Sequence, residues 1–395
     1  MIKKDPAKNS ILKTGELKNI LGRGVDEVIE KEHLLEALNS GRKLRVKMGI
    51  DPTRPDIHLG HTVALRKLRQ FQELGHKAVL IIGDFTAQIG DPSGQSAERK
   101  PLSEKEIRSN LKGYLNQAGK VIDIKKAEIH YNSEWFKKNG LEAMLTMARA
   151  ATFQQVIKRE DFQKRLEANK DISVLEILYP LLQGYDSVKI KADVEIGGTD
   201  QKFNMLMGRR VQRYFNQPEQ DIITVPIIEG TDGVRKMSKS YGNYIGLEED
   251  PEMMFGKLMS VPDCLVDKYF ALLTDSEPDK ESNLYENKKL LAWTIVEIYN
   301  GEKAANQARE NFIKTFSRKE TPEEMPEIKL ESKETTASDL IIFLKMAQSK
   351  NEAKRLIEQG GLKIEGKTVK GPADILNFSG GETIKVGKYH FFKIK

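Results

Sequence analysis

Residues 49–61 read Gly-Ile-Asp-Pro-Thr-Arg-Pro-Asp-Ile-His-Leu-Gly-His and are the most informative stretch of the chain. Apolar residues alternate over 44–50 and then recur at helical spacing, which predicts a strand, a tight proline-rich turn and a helix. His58 and His61 fall in the first helical turn, where free backbone N–H groups and the helix dipole favour an anion. Gly60 between them leaves room for a flat ring such as a purine. The stretch therefore suits a nucleoside triphosphate.

A second basic motif, Lys236-Met237-Ser238-Lys239-Ser240, lies far along the chain. Taken alone, the histidines could be surface or capping residues and the lysines a solvated charge cluster, because short motifs give many false matches. Together and in this order, His-x-Gly-His and Lys-Met-Ser-Lys-Ser resemble the two signature motifs of the class I aminoacyl-tRNA synthetases. Both motifs are expected by chance in well under about 1% of chains. The resemblance implies chemistry on ATP.

The composition is that of a globular protein with two or three domains. The chain has 395 residues, of which 39% are hydrophobic and 31% charged, so wholesale disorder is excluded. Its one cysteine, Cys264, excludes an internal disulfide framework and a Cys-x-x-Cys zinc site. No apolar run reaches about 18 residues, so we expect a cytoplasmic protein without a membrane partner. A net charge of +6 permits a polyanionic partner.

Two continuous apolar runs, 77–83 and 222–228, are typical of strands buried on both faces of a sheet. They alternate with helical patterns, which predicts an α/β fold with a Rossmann-like, doubly wound parallel sheet. A helical pattern is also expected over residues 9–40. The turn at 89–94 places Asp91 at the carboxyl edge of such a sheet, where ligands bind.

Tyr179, Gln183 and Asp186 have the spacing i, i+4, i+7, so on one helix they share a face and converge on one site. For an arbitrary helix the more common alternative is a core tyrosine beside two solvated polar residues. Downstream, Gly197 and Gly198 form a turn between a strand and a helix start, and Asp200 can accept the hydroxyl groups of a ribose. A glycine pair alone is a weak signal, and its place between the two signature motifs strengthens it.

The resemblance then narrows to the tyrosyl-tRNA synthetase family. The segments that stand in the family's order are Gly-Ile-Asp-Pro-Thr with His-Leu-Gly-His, Ile-Gly-Asp-Pro-Ser-Gly, Tyr-x-x-x-Gln-x-Tyr-Asp, Gly-Gly-Thr-Asp-Gln and Lys-Met-Ser-Lys-Ser. The match implies activation of L-tyrosine with ATP, release of pyrophosphate, and transfer of tyrosine to the terminal adenosine of its tRNA. It also implies a homodimer and Mg²⁺ that accompanies ATP.

The same resemblance implies which residues carry the reaction, and no protein metal site is among them. Residues expected to act on the triphosphate are Thr53, His58, His61, Lys236 and Lys239. Residues expected to bind ATP are Gly49, Asp51, Gly60, His61, Gly198, Asp200, Met237 and Lys239. Residues expected to bind tyrosine are Asp91 at its ammonium group, Gln201 at its carboxylate, and Tyr179, Gln183 and Asp186 around its side chain.

Two positions depart from the family pattern. Lys47 stands where some members carry a tyrosine that shares recognition of the substrate hydroxyl. Because Asp186 is present, the resemblance still implies specificity for tyrosine, and the second hydroxyl contact stays open. Gln95 replaces a lysine of some members, in a segment with Arg99 where the family has a mobile basic loop.

The predicted organisation is a catalytic domain at 1–246, an α-helical anticodon-region domain at 247–316, a linker at 317–336 and a small α+β RNA-binding domain at 337–395. Apolar stripes at helical spacing indicate the second segment, and six glutamates with few large apolar residues indicate the linker. The last segment has 11 Lys and Arg against 6 Asp and Glu, and it resembles an RNA-binding module shared with a ribosomal small-subunit protein. A generic basic β-hairpin is the alternative. Phosphate contacts are expected at Lys350, Lys354, Arg355, Lys363 and Lys367.

Three competing functions remain at this stage. A tryptophan-specific relative would share both signature motifs, although the constellation around Asp186 argues against it. A small-molecule nucleotidyltransferase would use His-x-Gly-His without the lysine motif or an RNA-binding module. A non-catalytic RNA-binding paralogue would not need an intact set of ATP-binding residues.

Overall fold

The structure is a computed structural model, in which the described residues are 19–93, 102–314, 325–330, 334–347, 349–387 and 390–395. Contacts between Cα atoms divide the chain into two compact units. The first comprises Met1–Glu249 and Ser260–Ile295, and the second Asp250–Met259 and Val296–Lys395. None of the helices in the described ranges combines the length and the apolar character that a transmembrane segment needs.

A six-stranded sheet is the framework of the first unit. Its strands are β1 (Glu27–Ile29), β2 (Arg45–Ile50), β3 (Lys77–Ile82), β4 (Glu128–Tyr131), β5 (Val194–Gly198) and β6 (Asp221–Val225). Their order in space is β1-β6-β5-β2-β3-β4. All neighbouring pairs are parallel except β1 with β6. The apolar runs predicted as buried strands are β3 and β6, and every residue of β6 is buried.

The winding of this sheet reverses between β2 and β5. From β2 the chain proceeds outward through β3 and β4 on one side, and through β5 and β6 on the other. This is the doubly wound arrangement predicted from the sequence. Ligands bind such sheets beside the carboxyl ends of the two strands at the reversal, because the loops that leave them diverge there.

The helical pattern expected over residues 9–40 is wrong in its middle. Residues 27–29 form β1, which pairs with β6, and the next helix begins only at Lys31. Glu30 separates the two elements with a φ of 62°, in the left-handed region. A three-residue edge strand is too short for its period to be told from that of a helix. Residues 9–18 lie outside the described part of the chain.

Helices connect the strands and form the segment after the sheet. As far as Gln201 they are α1 (Lys31–Asn39), α2 (Leu59–Glu73), α3 (Glu104–Asn110), α4 (Tyr114–Ala118), α5 (Ser133–Ala148), α6 (Phe153–Val156), α7 (Glu160–Glu167) and α8 (Val174–Ile190). Beyond it they are α9 (Lys202–Tyr214), α10 (Pro251–Ser260), α11 (Val266–Leu273), α12 (Leu284–Asn300) and α13 (Glu302–Phe312). The helical pattern predicted over 247–316 is therefore observed as α10 to α13.

The packing of α8 against α9 depends on a glycine. A Cβ atom at Gly184 would lie 2.9 Å from Val211 and 3.1 Å from the Cα atom of Gly208. Any side chain at position 184 would therefore force the two helices apart. Since Tyr179, Gln183 and Asp186 all lie on α8, this contact fixes their depth relative to the sheet.

The C-terminal part of the second unit is a small α+β fold. Its elements are β7 (Glu327–Ile328), β8 (Glu334–Thr336), α14 (Ala337–Phe343), α15 (Lys350–Glu358), β9 (Leu362–Ile364), β10 (Lys367–Thr368), β11 (Ile375–Asn377), β12 (Thr383–Val386) and β13 (His390–Ile394). One sheet has the order β10-β9-β12-β13-β7, and β8 pairs with β11. The buried side chains of both helices and of β9, β12 and β13 form its core.

Two of these strands, β7 and β8, fall within the segment predicted as a linker, 317–336. They pair with β13 and β11, so their residues belong to the C-terminal fold. Strands of two and three residues carry too few apolar side chains to stand out from a polar segment. Residues 315–324 and 331–333 lie outside the described part of the chain.

Candidate active site

A cavity of about 700 Å³ opens beside the carboxyl ends of β2 and β5, where the winding of the sheet reverses. Among the residues that line it are Asp51, Thr53, His58, Gly60, His61, Gly198, Asp200, Lys236, Met237 and Lys239. Gly49 in β2 borders open space, because a Cβ atom there would meet nothing within 4 Å. Gly49 itself does not line the cavity, whereas the other residues expected to bind ATP do, although they are dispersed along the sequence.

The two histidines of the first motif cap helix α2. The Nδ1 atom of His58 accepts a hydrogen bond from Gly60 N at 3.2 Å, and the Nδ1 atom of His61 accepts one from His58 N at 3.2 Å. A ring nitrogen that accepts carries no hydrogen, so each neutral ring has its proton on Nε2. The ring centroids are 3.9 Å apart. Both imidazoles are thereby fixed as Nε2–H donors.

Burial keeps both rings uncharged at neutral pH. It lowers the pKa of His61 to about 4. Burial, followed by the charges of His61, Lys236 and Lys239, lowers the pKa of His58 well below its ordinary value. The histidines can therefore donate hydrogen bonds to a phosphate without competing as proton acceptors. The capping interpretation and the ligand interpretation of this pair are compatible, since the two functions use different nitrogens.

The two lysines of the second motif are paired with carboxylates. Lys236 Nζ lies 3.1 Å from Asp200 Oδ2, and Lys239 pairs with Asp56. Both ammonium groups are partly exposed and point into the cavity region that the histidines border. An exposed ion pair is worth less than about 1 kcal/mol, so a triphosphate can displace these carboxylates. Four neutral or positive donors thus surround one cavity.

Asn243 holds the lysine loop in shape. Its Oδ1 atom accepts from Ser238 N at 2.8 Å, and its Nδ2 atom donates to the carbonyl groups of Arg235 and Lys236, each at 3.2 Å. A Cβ atom at Gly230 would lie 2.3 Å from Asn243, so that glycine makes room for the amide. Asn243 could not be identified from the sequence, because a single asparagine in a loop gives no signal of its partners.

Asp51 links the cavity to the residues of helix α8. Its carboxylate accepts from the Tyr179 hydroxyl at 2.9 Å and from Thr86 Oγ1 at 2.7 Å. A Cβ atom at Gly83 would lie 1.8 Å from this carboxylate, which explains the glycine there. Burial and then the charges of Asp51 and Asp91 raise the pKa of Tyr179 well above its ordinary value. Tyr179 therefore remains a hydroxyl donor to Asp51, which lines the cavity, while Tyr179 itself is buried outside the cavity lining.

Asp91 and Gln201, both expected at the amino-acid end of the site, are in direct contact. Gln201 Nε2 donates to Asp91 Oδ2 at 2.6 Å, and Gln201 Oε1 accepts from Asn204 Nδ2 at 2.9 Å. Arg159 stands behind this group and donates to Asn204 Oδ1 at 2.8 Å and to Ser93 Oγ at 3.1 Å. Only 3% of Arg159 is exposed, so it is a fixed support and not a surface charge.

Asp186 is buried and has two donors of its own. Trp135 Nε1 donates to its Oδ1 atom at 2.9 Å, and Asn132 Nδ2 lies 3.4 Å from its Oδ2 atom. Burial raises the pKa of Asp186 to about 7, while the charge of Lys47 and these hydrogen bonds oppose the rise. The alternative of a solvated polar residue does not hold for Asp186, of which only 4% is exposed, whereas Gln183 is half-buried.

Gln183 and Lys47 belong to one buried network. Gln183 Nε2 donates to Glu195 Oε1 at 3.1 Å, and Lys47 Nζ lies 2.9 Å from the same oxygen. Lys47 and Glu195 occupy paired positions on β2 and β5. Lys47 has no exposed surface, so the side chain that replaces a tyrosine in this chain is directed at protein groups.

Comparison with known proteins identifies the family. The family model for class I tRNA synthetases (W and Y) matches residues 39–317, and the S4 domain model matches residues 339–384. The tyrosine–tRNA ligase of Aquifex aeolicus is 49% identical over 95% of this chain and 97% of its own length. The chain belongs to the tyrosine–tRNA ligase family. The ligase of Thermotoga maritima is 46% identical over 95% of this chain and 96% of its own length.

Solved structures of tyrosyl-tRNA synthetases share the fold of this ligase family member. The enzyme from Aeropyrum pernix superposes with a TM-score of 0.60 at 19% identity and covers 75% of this chain and 98% of its own. The enzyme from Archaeoglobus fulgidus, solved with L-tyrosine, gives a TM-score of 0.58 at 23% identity and covers 75% and 99%. The resemblance inferred from the sequence motifs, to the tyrosine-specific and not the tryptophan-specific family, is confirmed.

Several residues in and beside the candidate site were not predicted from the sequence. They are Asp56, Trp135, Asn132, Arg159, Glu195, Asn204 and Asn243. Asn132 directly follows the carboxyl end of β4, and this position after a parallel strand was an available signal. Gln95 and Arg99 lie outside the described residues.

Proposed function

We propose that the protein activates L-tyrosine with ATP, releases pyrophosphate, and transfers tyrosine to the terminal adenosine of its tRNA. One observation carries this proposal: a single cavity at the reversal of the sheet is bordered by the neutral donors His58 and His61 and by the ammonium groups of Lys236 and Lys239. A triphosphate needs hydrogen-bond donors and positive charges of this kind around it, because negative charge on the leaving pyrophosphate must be stabilised.

In the first step the carboxylate of tyrosine attacks the α-phosphorus of ATP, and the bond from that phosphorus to the bridging oxygen breaks. The substrate carries its own nucleophile, so catalysis consists of positioning and charge stabilisation. Lys236 and Lys239 exchange Asp200 and Asp56 for phosphate oxygens, and the released Asp200 accepts the ribose hydroxyl groups. His58 and Thr53 donate to the triphosphate. Mg²⁺ enters with ATP as part of the substrate.

The polar group beside the cavity provides the amino-acid pocket in this proposal. The ammonium group of tyrosine binds Asp91, its carboxylate lies against Gln201, and its ring passes Tyr179 and Gln183 towards Asp186. The ionised form of Asp186 accepts the substrate hydroxyl while Trp135 holds the other oxygen. Phenylalanine is rejected because a buried carboxylate would lose a partner.

The C-terminal fold supplies a second contact to tRNA. Lys350, Lys354 and Arg355 on α15 and Lys363 and Lys367 on β9 and β10 are all exposed. Basic side chains gathered on a helix and an adjacent hairpin suit the phosphate backbone of RNA. The domain boundaries at 246 and 316 remain part of this proposal, whereas the C-terminal fold already includes β7 and β8, before residue 337.

The active form in this proposal is a homodimer in the cytoplasm, where the tRNA pool is charged. Exposed apolar side chains support the dimer, notably Leu141 (70% exposed), Phe153 (59%) and Val174 (72%) on α5, α6 and α8. Large exposed apolar side chains on neighbouring elements are typical of subunit interfaces. Sedimentation should give a dimer, and Leu141→Glu should shift it to a monomer.

Charging of a tRNA transcript with labelled tyrosine tests the proposal. Lys239→Gln should lower the rate by about 10²-fold, because it removes a charge that stabilises the leaving group. Lys120→Gln is the matched control, since Lys120 has similar exposure (31% against 30%) and pairs with Glu248. It does not line the cavity and should charge at the wild-type rate. Equal rates for the two variants would contradict the proposal.

A further inference from the structure

Lys47 and Glu195 form an ion pair that is completely enclosed between β2 and β5. The two residues are register partners on adjacent parallel strands. Lys47 Nζ lies 2.9 Å from Glu195 Oε1, and the side chains are 0% and 2% exposed. Removal of two charges from water costs several kcal/mol per ion, and apolar residues of similar size are often as stable. Stability alone therefore does not account for the pair.

The ammonium group of Lys47 has no donor left for a ligand. It donates to Gln183 O at 2.9 Å and to Ser187 Oγ at 2.8 Å, and it pairs with Glu195. A lysine has three N–H groups, so all of them are used. Lys47 therefore acts on protein groups and not on a ligand.

The acceptors of Lys47 bracket one turn of helix α8. Gln183 and Ser187 are at the two ends of this turn, and Asp186 lies within it. Glu195 makes a further contact to the same turn, because its Oε1 atom accepts a hydrogen bond from Gln183 Nε2 at 3.1 Å. The pair therefore fixes both the backbone of the turn and the side-chain amide of Gln183.

We infer that Lys47 and Glu195 are positioning residues for the amino-acid pocket, which orient Gln183 and leave recognition of the substrate hydroxyl to Asp186. This inference rests on the proposed function. The sequence left open whether residue 47 makes a second contact to the hydroxyl group of the substrate. In this inference Lys47 makes no such contact. Specificity for tyrosine then depends on one carboxylate whose surroundings must keep it able to accept a hydrogen bond.

Lys47 has a second effect on Asp186, through its charge. The titratable groups that face Asp186 are Lys47 on β2, Asp51 at the end of β2 and Tyr179 on α8. Burial raises the pKa of Asp186, and Lys47 is the main charge that lowers it again. A substrate hydroxyl is best accepted by the ionised carboxylate. Loss of the lysine should therefore shift tyrosine recognition to higher pH.

Tyrosine-dependent pyrophosphate exchange, measured between pH 6 and pH 9, tests the inference. In K47M/E195Q we expect the KM for tyrosine to rise about 10-fold, because Gln183 loses its charged anchor, while kcat and the KM for ATP stay within about 3-fold. The acid limb of kcat/KM for tyrosine should move to higher pH.

E195Q alone retains the charge of Lys47 and much of the network. The amide introduced by E195Q would keep an oxygen for Lys47 and Gln183. Its NH₂ group would replace the oxygen that accepts from Gln220 Nε2, so the Gln220 amide must turn over to present its Oε1 atom, which has no partner among the described residues. The lysine is then no longer neutralised by a carboxylate. We expect a KM for tyrosine between those of the wild type and K47M/E195Q, and an acid limb at lower pH than in the wild type, opposite to K47M/E195Q.

R165M/E176Q is the matched control, because Arg165 and Glu176 form another ion pair that is 2% and 3% exposed. It should lose stability without a change in the KM for tyrosine.

The inference is overturned if K47M/E195Q keeps the wild-type KM for tyrosine and the wild-type acid limb. It is also overturned if R165M/E176Q raises the KM for tyrosine as much as K47M/E195Q does, or if K47M/E195Q and E195Q both shift the acid limb in the same direction. Should K47M/E195Q not fold, an unmoved limb in E195Q overturns it. Absence of tyrosine-dependent exchange in the wild type would instead refute the proposed function.

Discussion

Replacement of His58 by asparagine separates the two functions that the structure gives to this side chain. The Nδ1 atom caps α2 by accepting from Gly60 N at 3.2 Å, and the proton on Nε2 is left for a ligand in the cavity. Asparagine is among the best helix N-caps, so His58→Asn keeps an acceptor at the cap. It has no group at the position of Nε2, so the donor to the triphosphate is lost.

The expected magnitudes follow from these two contacts. The free energy of unfolding of His58→Asn should stay within about 0.5 kcal/mol of wild type, whereas His58→Ala should lose about 1 kcal/mol with the cap. The kcat of pyrophosphate exchange should fall about 10²-fold in both variants, because a donor to developing charge is removed. The KM for tyrosine should not change, since His58 borders the nucleotide part of the site.

Urea denaturation and steady-state exchange on the three proteins measure these quantities. Wild-type kcat in His58→Asn would refute the assignment of the ring to the triphosphate. Equal destabilisation of the asparagine and alanine variants would refute the cap. The two results are independent, so each function is tested by itself.

Three further predictions concern stability, specificity and RNA binding. The pKa of His61 is lowered from 6.5 to about 4, so as the pH falls the unfolded chain binds a proton before the folded chain does. The free energy of unfolding measured in urea should therefore decrease by on the order of 3 kcal/mol between pH 6.5 and pH 4. In His61→Asn the decrease should be smaller. Asp186→Asn should reduce the preference for tyrosine over phenylalanine in exchange by about 10- to 100-fold, and an unchanged ratio would contradict the pocket assignment. K350E/K354E/R355E should weaken tRNA binding, reduce its salt slope by about 3 and leave exchange unchanged; a wild-type slope would place the phosphate contacts elsewhere.

The parts of the site that could be predicted from the sequence are those encoded locally. His58 and His61 are three residues apart, and a strand, turn and helix start around them can be recognised within one short segment. The lysine motif and the turn at Gly198 are similarly compact. Parallel strands bring such turns to one edge of the sheet, so the meeting of these motifs followed from the fold class.

The parts that could not be predicted depend on partners distant in the sequence. The burial of Lys47 follows from its pairing with Glu195, which no local pattern indicates. From the sequence Arg159 would be interpreted as a charged surface residue. In the structure its Cζ atom lies 5.0 and 5.3 Å from the ring centroids of Phe162 and Phe203, and its guanidinium group supports the residues around Asp91. Register between strands and packing between helices decide these contacts, and neither is expressed in spacing or composition.

Amino-acid-dependent exchange of labelled pyrophosphate into ATP, run with each standard amino acid and without tRNA, tests the central claim most directly. The account predicts exchange with tyrosine, because Asp186 offers a buried acceptor for its hydroxyl beside a cavity built for a triphosphate. It predicts no comparable signal with phenylalanine or tryptophan. Exchange with tryptophan in place of tyrosine, or no exchange with any amino acid from folded protein and Mg²⁺, would contradict it.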